Sequence, residues 1–141
     1  VGTWGPGPFD DDTAMDFVDY LLDLPPDQVQ QELRTAVRLA CDVGGYLGYV
    51  DAVRAVAAAS LLAGVVPPGY ESSWTVPLRL TPDLAAEAME AIGRAHSAGS
   101  DLHELRAESG TYARVDEALR PVLAALQRGA HPVDLGQESL F

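Results

Sequence analysis

The chain has 141 residues and a net charge of −12, with 21 acids set against nine basic residues, every one of them Arg. Having no Lys, it lacks a Walker phosphate loop, a Schiff-base lysine and a lysine general base, because each requires an ammonium group. Nine Arg scattered among the acids form no basic stripe, which argues against nucleic acid as a partner; the charge favours solubility and long-range attraction to a basic protein.

A chain of this length suits one domain able to bury about two thirds of its unfolded surface without a metal or disulfide staple. The single Cys41 has no internal partner. No basic, apolar leader and no bilayer-spanning run is present, so a soluble cytoplasmic protein is expected. The missing Lys and Asn and the many Ala read as the composition of a GC-rich bacterial genome.

In chain order, residues 1–9 hold Gly2, Gly5, Gly7, Pro6 and Pro8, a turn-rich arm whose Trp4 and Phe9 should lie on the body of the domain. Asp10, Asp11 or Asp12 can cap a first helix over residues 12–24. At 100° per residue, Ala14, Phe17, Val18 and Leu21 share one face, while Asp12, Asp16, Asp19 and Asp23 share the other. These four acids form a wall. Such a wall is a plain solvated face, a docking surface for a basic partner, since acids without interleaved Arg repel one another, or a metal site, although the EF-hand pattern fails where Ala14 and Met15 stand in place of its loop ligands and Gly.

Pro25-Pro26 closes that helix and opens a second that runs to Asp42, with Val29, Leu33, Val37, Ala40 and Cys41 inward. Gly44-Gly45 breaks the chain. Residues 46–64 then form the organising element, because residues 55–63 carry no charge on any face. A helix apolar all round must be buried all round. Nine such residues fall far short of a membrane span, so the covering material must be other helices. Gly64 and Pro67-Pro68-Gly69 end it.

Residues 70–80 have extended character interrupted by Pro77, which predicts a long crossing connection with a short edge strand and Trp74 packed on the bundle. Thr81-Pro82 starts a fourth helix burying Leu84, Ala88, Ile92 and Ala95. A short fifth helix follows Ser100 or Asp101 and ends at Ser109-Gly110. The sixth, over residues 111–128, should bury Val115, Leu119, Val122, Leu123 and Leu126, kink at Pro121 and stop at Gly129. Residues 130–141 lack periodicity and read as a loose tail.

The run Gly2-Thr3-Trp4-Gly5 followed by Phe9-Asp10-Asp11-Asp12-Thr13-Ala14 resembles the opening of the DUF4259 family, small bacterial proteins that begin Gly-Thr-Trp-Gly and continue Phe-Asp-Asn-Asp-x-Ala. Residues 100–109, with Ser100, Leu102 and Leu105, are similar to that family's Ser-Glu-Leu-x-x-Leu-Trp stretch. Asp11 stands where the usual residue is Asn, and Arg106 where it is Trp. The resemblance implies a motif of Gly2, Thr3, Trp4, Gly5, Phe9, Asp10, Asp12 and Ala14. It implies no activity, because the family is named for having none assigned.

Catalytic and metal-binding patterns fail on spacing. His103-Glu104 opens like HExxH, but Ala107 stands at the second ligand position. No Glu-x-x-His supports a di-iron bundle and no Gly-x-Ser-x-Gly forms a nucleophile elbow. His96 and His103 flank the Gly99 turn and read as surface histidines, two short of a structural zinc set. No catalytic, cofactor or metal residue is assigned.

The expectation is an all-α, single-domain bundle of five to six helices over residues 10–129, built around the buried Ala-rich helix. Its expected role is a protein-interaction module, an antagonist of a basic partner that docks on Asp12, Asp16, Asp19 and Asp23. Two alternatives stay open. An enzyme or small-ligand domain would show a cleft lined by Asp12, His96 or His103. A self-associating structural module would show an apolar patch on a two-fold axis.

Overall fold

The computed structural model describes residues 5–97, 99–109 and 112–130. It contains six helices: α1 (Asp12–Leu22), α2 (Pro26–Asp42), α3 (Tyr49–Leu62), α4 (Pro82–Ala95), α5 (Asp101–Ser109) and α6 (Tyr112–Ala130). No strand occurs among the described residues, and the fold is all-α. The expected burial of Trp4 and the loose tail after residue 130 lie outside the described residues.

The small side chains of α3 explain its position. Every residue from 55 to 62 is buried, five of them Ala or Ser, so neighbouring helices approach its backbone closely. Helices α1, α2, α4 and α5 all pack on it, and α6 is carried on α4. Ser60, wholly buried, donates its hydroxyl to the Val56 carbonyl at 2.8 Å, which satisfies the polar group inside the helix's own turn. The helix then stops on a left-handed Gly64 at φ +88°; Val65 N–H donates to the Ser60 carbonyl and Gly64 N–H to that of Leu61. This is a Schellman closure, and Gly64 supplies the positive φ it needs.

Several boundaries differ from the sequence expectation, each for a local reason. Helix α1 ends at Leu22 instead of residue 24, with Asp23 as its C-cap. Helix α3 starts at Tyr49 and not at 46, because Leu47 is held extended against Ser100: Leu47 N–H donates to the Gly99 carbonyl at 2.7 Å and Asp101 N–H to that of Leu47 at 3.0 Å. Helix α6 runs on to Ala130, and Gly129 is no stop signal. A Cβ there would meet Leu80 Cδ2 at 2.8 Å and Ala85 Cβ at 3.3 Å, so this glycine permits close packing. Leu123, expected inside, is exposed, since the buried stripe takes Val115, Leu119, Val122 and Leu126. Pro121 lies within α6 on the exposed side, where the Glu117 carbonyl can turn to water.

The crossing connection is extended but pairs with no strand. Trp74, Val76, Leu78 and Leu80 turn inward onto the core while Thr75, Pro77 and Arg79 are exposed, the two-residue alternation of a half-buried strand. A side chain replaces the missing partner. Gln30 of α2 donates its amide to the Arg79 carbonyl at 2.8 Å and accepts the Arg79 N–H at 2.9 Å.

Ala58 is fully buried at the middle of α3. Ala58→Asp should place an unpaired carboxylate there at a cost of several kcal/mol, about the whole margin of a small domain. The expected outcome in thermal and urea melts followed by circular dichroism is loss of the cooperative transition; a melting temperature within a few degrees of wild type would show that the site is open to water.

Candidate interaction surface

Helix α1 is positioned by its first residues. Asp11 is its N-cap: Oδ1 accepts the Thr13 and Ala14 N–H groups at 2.7 and 3.3 Å, satisfying donors the helix cannot pair itself. Its other oxygen, Oδ2, accepts the hydroxyl of Tyr49, the first residue of α3. One buried carboxylate therefore caps α1 and ties it to the central helix. Asp10 organises the arm before it, taking the Gly7 N–H at 3.0 Å and leaving no room for a Cβ at Gly5, which would stand 2.5 Å from Asp10 Oδ2.

The motif residues thus divide by role. Phe9 and Ala14 are buried in the core, Gly5 and Asp10 shape the turn, and Asp12 is exposed. Gly2, Thr3 and Trp4 lie outside the described residues. The sequence alone leaves the cap open among Asp10, Asp11 and Asp12. The tie from Asp11 to Tyr49 spans 38 residues, and no local pattern could have announced it. An Asn at position 11 would offer the same capping oxygen and an amide beside the Tyr49 hydroxyl, so the Asp keeps the geometry that the resemblance implies for Asn.

With that orientation set, Phe17, Val18 and Leu21 point into the core and Asp12, Asp16, Asp19 and Asp23 are all exposed on the opposite face. Among the described residues none of the four is in an ion pair. Tyr70 donates its hydroxyl to Asp19 Oδ1 at 3.1 Å, and this hydrogen bond, with some desolvation and the Asp19 charge, holds the Tyr70 phenol above its ordinary pKa. Arg54 of α3 lies over the Phe17 ring, 5.5 Å from its centroid, at the flank of the helix. Asp12 suits the positive end of the helix dipole; Asp23, at the C-cap, opposes the negative end.

The two histidines, expected on the surface, are both half-buried, and the contact between them is from ring to backbone: His103 Nδ1 lies 3.0 Å from the His96 main-chain carbonyl oxygen, to which it can only donate. His96 also borders a crevice with Pro6, Asp11, Val56, Leu102 and Val115. Its interior of about 10 Å³ is no larger than one water. Asp12 and His103 do not line it. Among the described residues no group of three or more His, Cys, Asp and Glu is placed to hold a metal ion, and no helix is long and apolar enough to cross a membrane.

Cys41 is half-buried between α2 and α4, its thiol donating to the Glu87 carbonyl at 3.3 Å. Desolvation first, then the charges of Glu90, Glu87 and Asp42, push its pKa from 9.0 to about 11. A family model described as a domain of unknown function, DUF4259, matches residues 2–118. No curated protein and no solved structure matches the chain.

The thiol environment gives a pH prediction. The folded pKa lies above the unfolded one, so the protonated thiol's stabilising contribution is complete below about pH 9 and is lost as the pH rises through about 11. Alkylation by iodoacetamide should follow the thiolate, with a midpoint near 11 in the folded protein that falls to about 9 in denaturant. A folded midpoint at or below 9 would contradict the burial and charge assigned to Cys41.

Proposed function

The chain belongs to the DUF4259 family, and we propose that it is a cytoplasmic bacterial protein-interaction module whose acidic α1 face docks a basic protein and restrains it. The observation that carries the reading is the composition of that face. Asp12, Asp16, Asp19 and Asp23 stand at i, i+4, i+7 and i+11, so three consecutive pairs are helical neighbours of like charge. Each such pair costs a few tenths of a kcal/mol, where an interleaved Arg would have returned about as much. A cation-bearing partner removes that repulsion on binding, and the net charge of −12 adds attraction at longer range. The face is also held in a fixed orientation, because α1 is capped by Asp11 and its apolar side packs on α3.

Replacing Asp16, Asp19 and Asp23 together with Asn leaves the core and the Asp11 cap untouched. The folded state should persist, slightly stabilised by the lost repulsion. For a partner captured by the wild type from the native lysate and then purified, the association rate should fall on the order of tenfold in the triple variant and lose most of its salt dependence. Equal rates for both proteins, or capture unaffected by salt, would reduce the wall to a solvated face.

A further inference from the structure

A second surface carries the opposite charge. An open groove of about 570 Å³ runs between the first turns of α2 and the extended connection, bordered by Pro26, Gln30 and Arg34 on one side and Pro77, Leu78 and Arg79 on the other. Two of the nine Arg of an acidic chain converge on it. Its one lining carboxylate, Asp27, is seven residues from Arg34, about 10 Å along the helix.

Arg34 is the unusual member. Gln30, Arg34 and Arg38 succeed one another at four-residue steps on one stripe of α2. Gln30 is committed to the Arg79 backbone, and Arg38 Nε pairs with Glu87 Oε1 at 3.2 Å. Arg34, between them, is in no ion pair among the described residues, and its Nε is shielded from solvent with no hydrogen-bond acceptor among them. A guanidinium that lines an open groove without an ion pair can present its fork to a planar anion, and a carboxylate fits that fork through two parallel hydrogen bonds.

We propose that this groove docks an extended acidic peptide of a partner protein, with a carboxylate side chain on Arg34 and Arg79 and an adjacent apolar side chain on Leu78 between Pro26 and Pro77. Recognition runs through side chains and not by strand addition, because Gln30 already occupies the backbone N–H and carbonyl of Arg79. The groove is open along the surface, whereas small-molecule sites enclose most of their ligand. It is separate from the acidic face of α1 and stands or falls without it.

The test is selection from a random peptide display library on the full chain, with an Arg34→Gln/Arg79→Gln variant as counter-selection. Enriched sequences should place Asp or Glu beside Leu, Ile, Val or Phe. A dye-labelled selected peptide should bind the wild type in fluorescence anisotropy and lose roughly tenfold in affinity with Arg34→Gln and with Arg79→Gln. Arg79 is exposed and its backbone clamp survives the change, so Arg79→Gln reports on binding even if Arg34→Gln perturbs folding. The Asn/Gln counterpart of the peptide should not bind, and inorganic phosphate at millimolar concentration should not displace the acidic one. No enrichment, enrichment of neutral or basic sequences, indifference to both variants, or displacement by phosphate would each overturn the proposal.

Discussion

Residues 55–62 of α3 are buried on every side, and the rest of the fold follows from covering them. Small side chains make this workable, since Ala loses no side-chain entropy on burial and keeps the interhelix distance short. Four helices share the task, and their connections are shaped by it. The chain between α3 and α4 must cross the bundle, which is why an extended segment with alternating inward side chains lies on an otherwise helical domain. Gly129 marks the same constraint at the far end, where α6 comes so close to Leu80 and Ala85 that a side chain would have to displace the Leu80 methyl.

Tertiary hydrogen bonds then fix orientation. Asp11 joins the cap of α1 to Tyr49 at the start of α3, and Arg94 reaches from α4 to the carbonyls of Gly45 and Gly99, near the bridge of Leu47 with Ser100. Tyr46 adds a bond to Asp101 at 2.8 Å; partial desolvation, the hydrogen bonds to Asp101 and Glu104 and their charges hold its phenol above the ordinary pKa. The loops before α3 and before α5 are thereby strapped together at one end of the bundle. Other surfaces carry the charge, acids on α1 and two guanidinium groups with a single carboxylate, Asp27, in the groove beside the start of α2.

Helix number, order and inward faces were legible in the sequence because they depend on local periodicity. The apolar stretch of α3, the Asp wall of α1 and the Thr81-Pro82 start of α4 each needed only neighbours in the chain to be read. What could not be read depends on distant partners. Gly129 looked like a stop because a glycine near a helix end usually is one, and Leu80, 49 residues earlier, decides otherwise. An edge strand was expected at residues 70–80, where the Gln30 side chain instead supplies the pairing. Leu123 fitted an inner face by hydropathy, yet α4 covers only the stripe from Val115 to Leu126. At the candidate surface the four carboxylates were visible in advance, whereas the Asp11 tie to Tyr49 and the unmatched Arg34 emerged only from packing.

If α3 is the element on which the others depend, its amides should open last. Native-state hydrogen exchange with residue resolution measures this directly. The amides of residues 56–62 should exchange only through global unfolding, with a free energy equal to that from urea denaturation and the same denaturant slope. Those of α1 should exchange through smaller openings. Exchange of the α3 amides at a lower free energy than those of α1 or α2 would contradict a bundle built around α3.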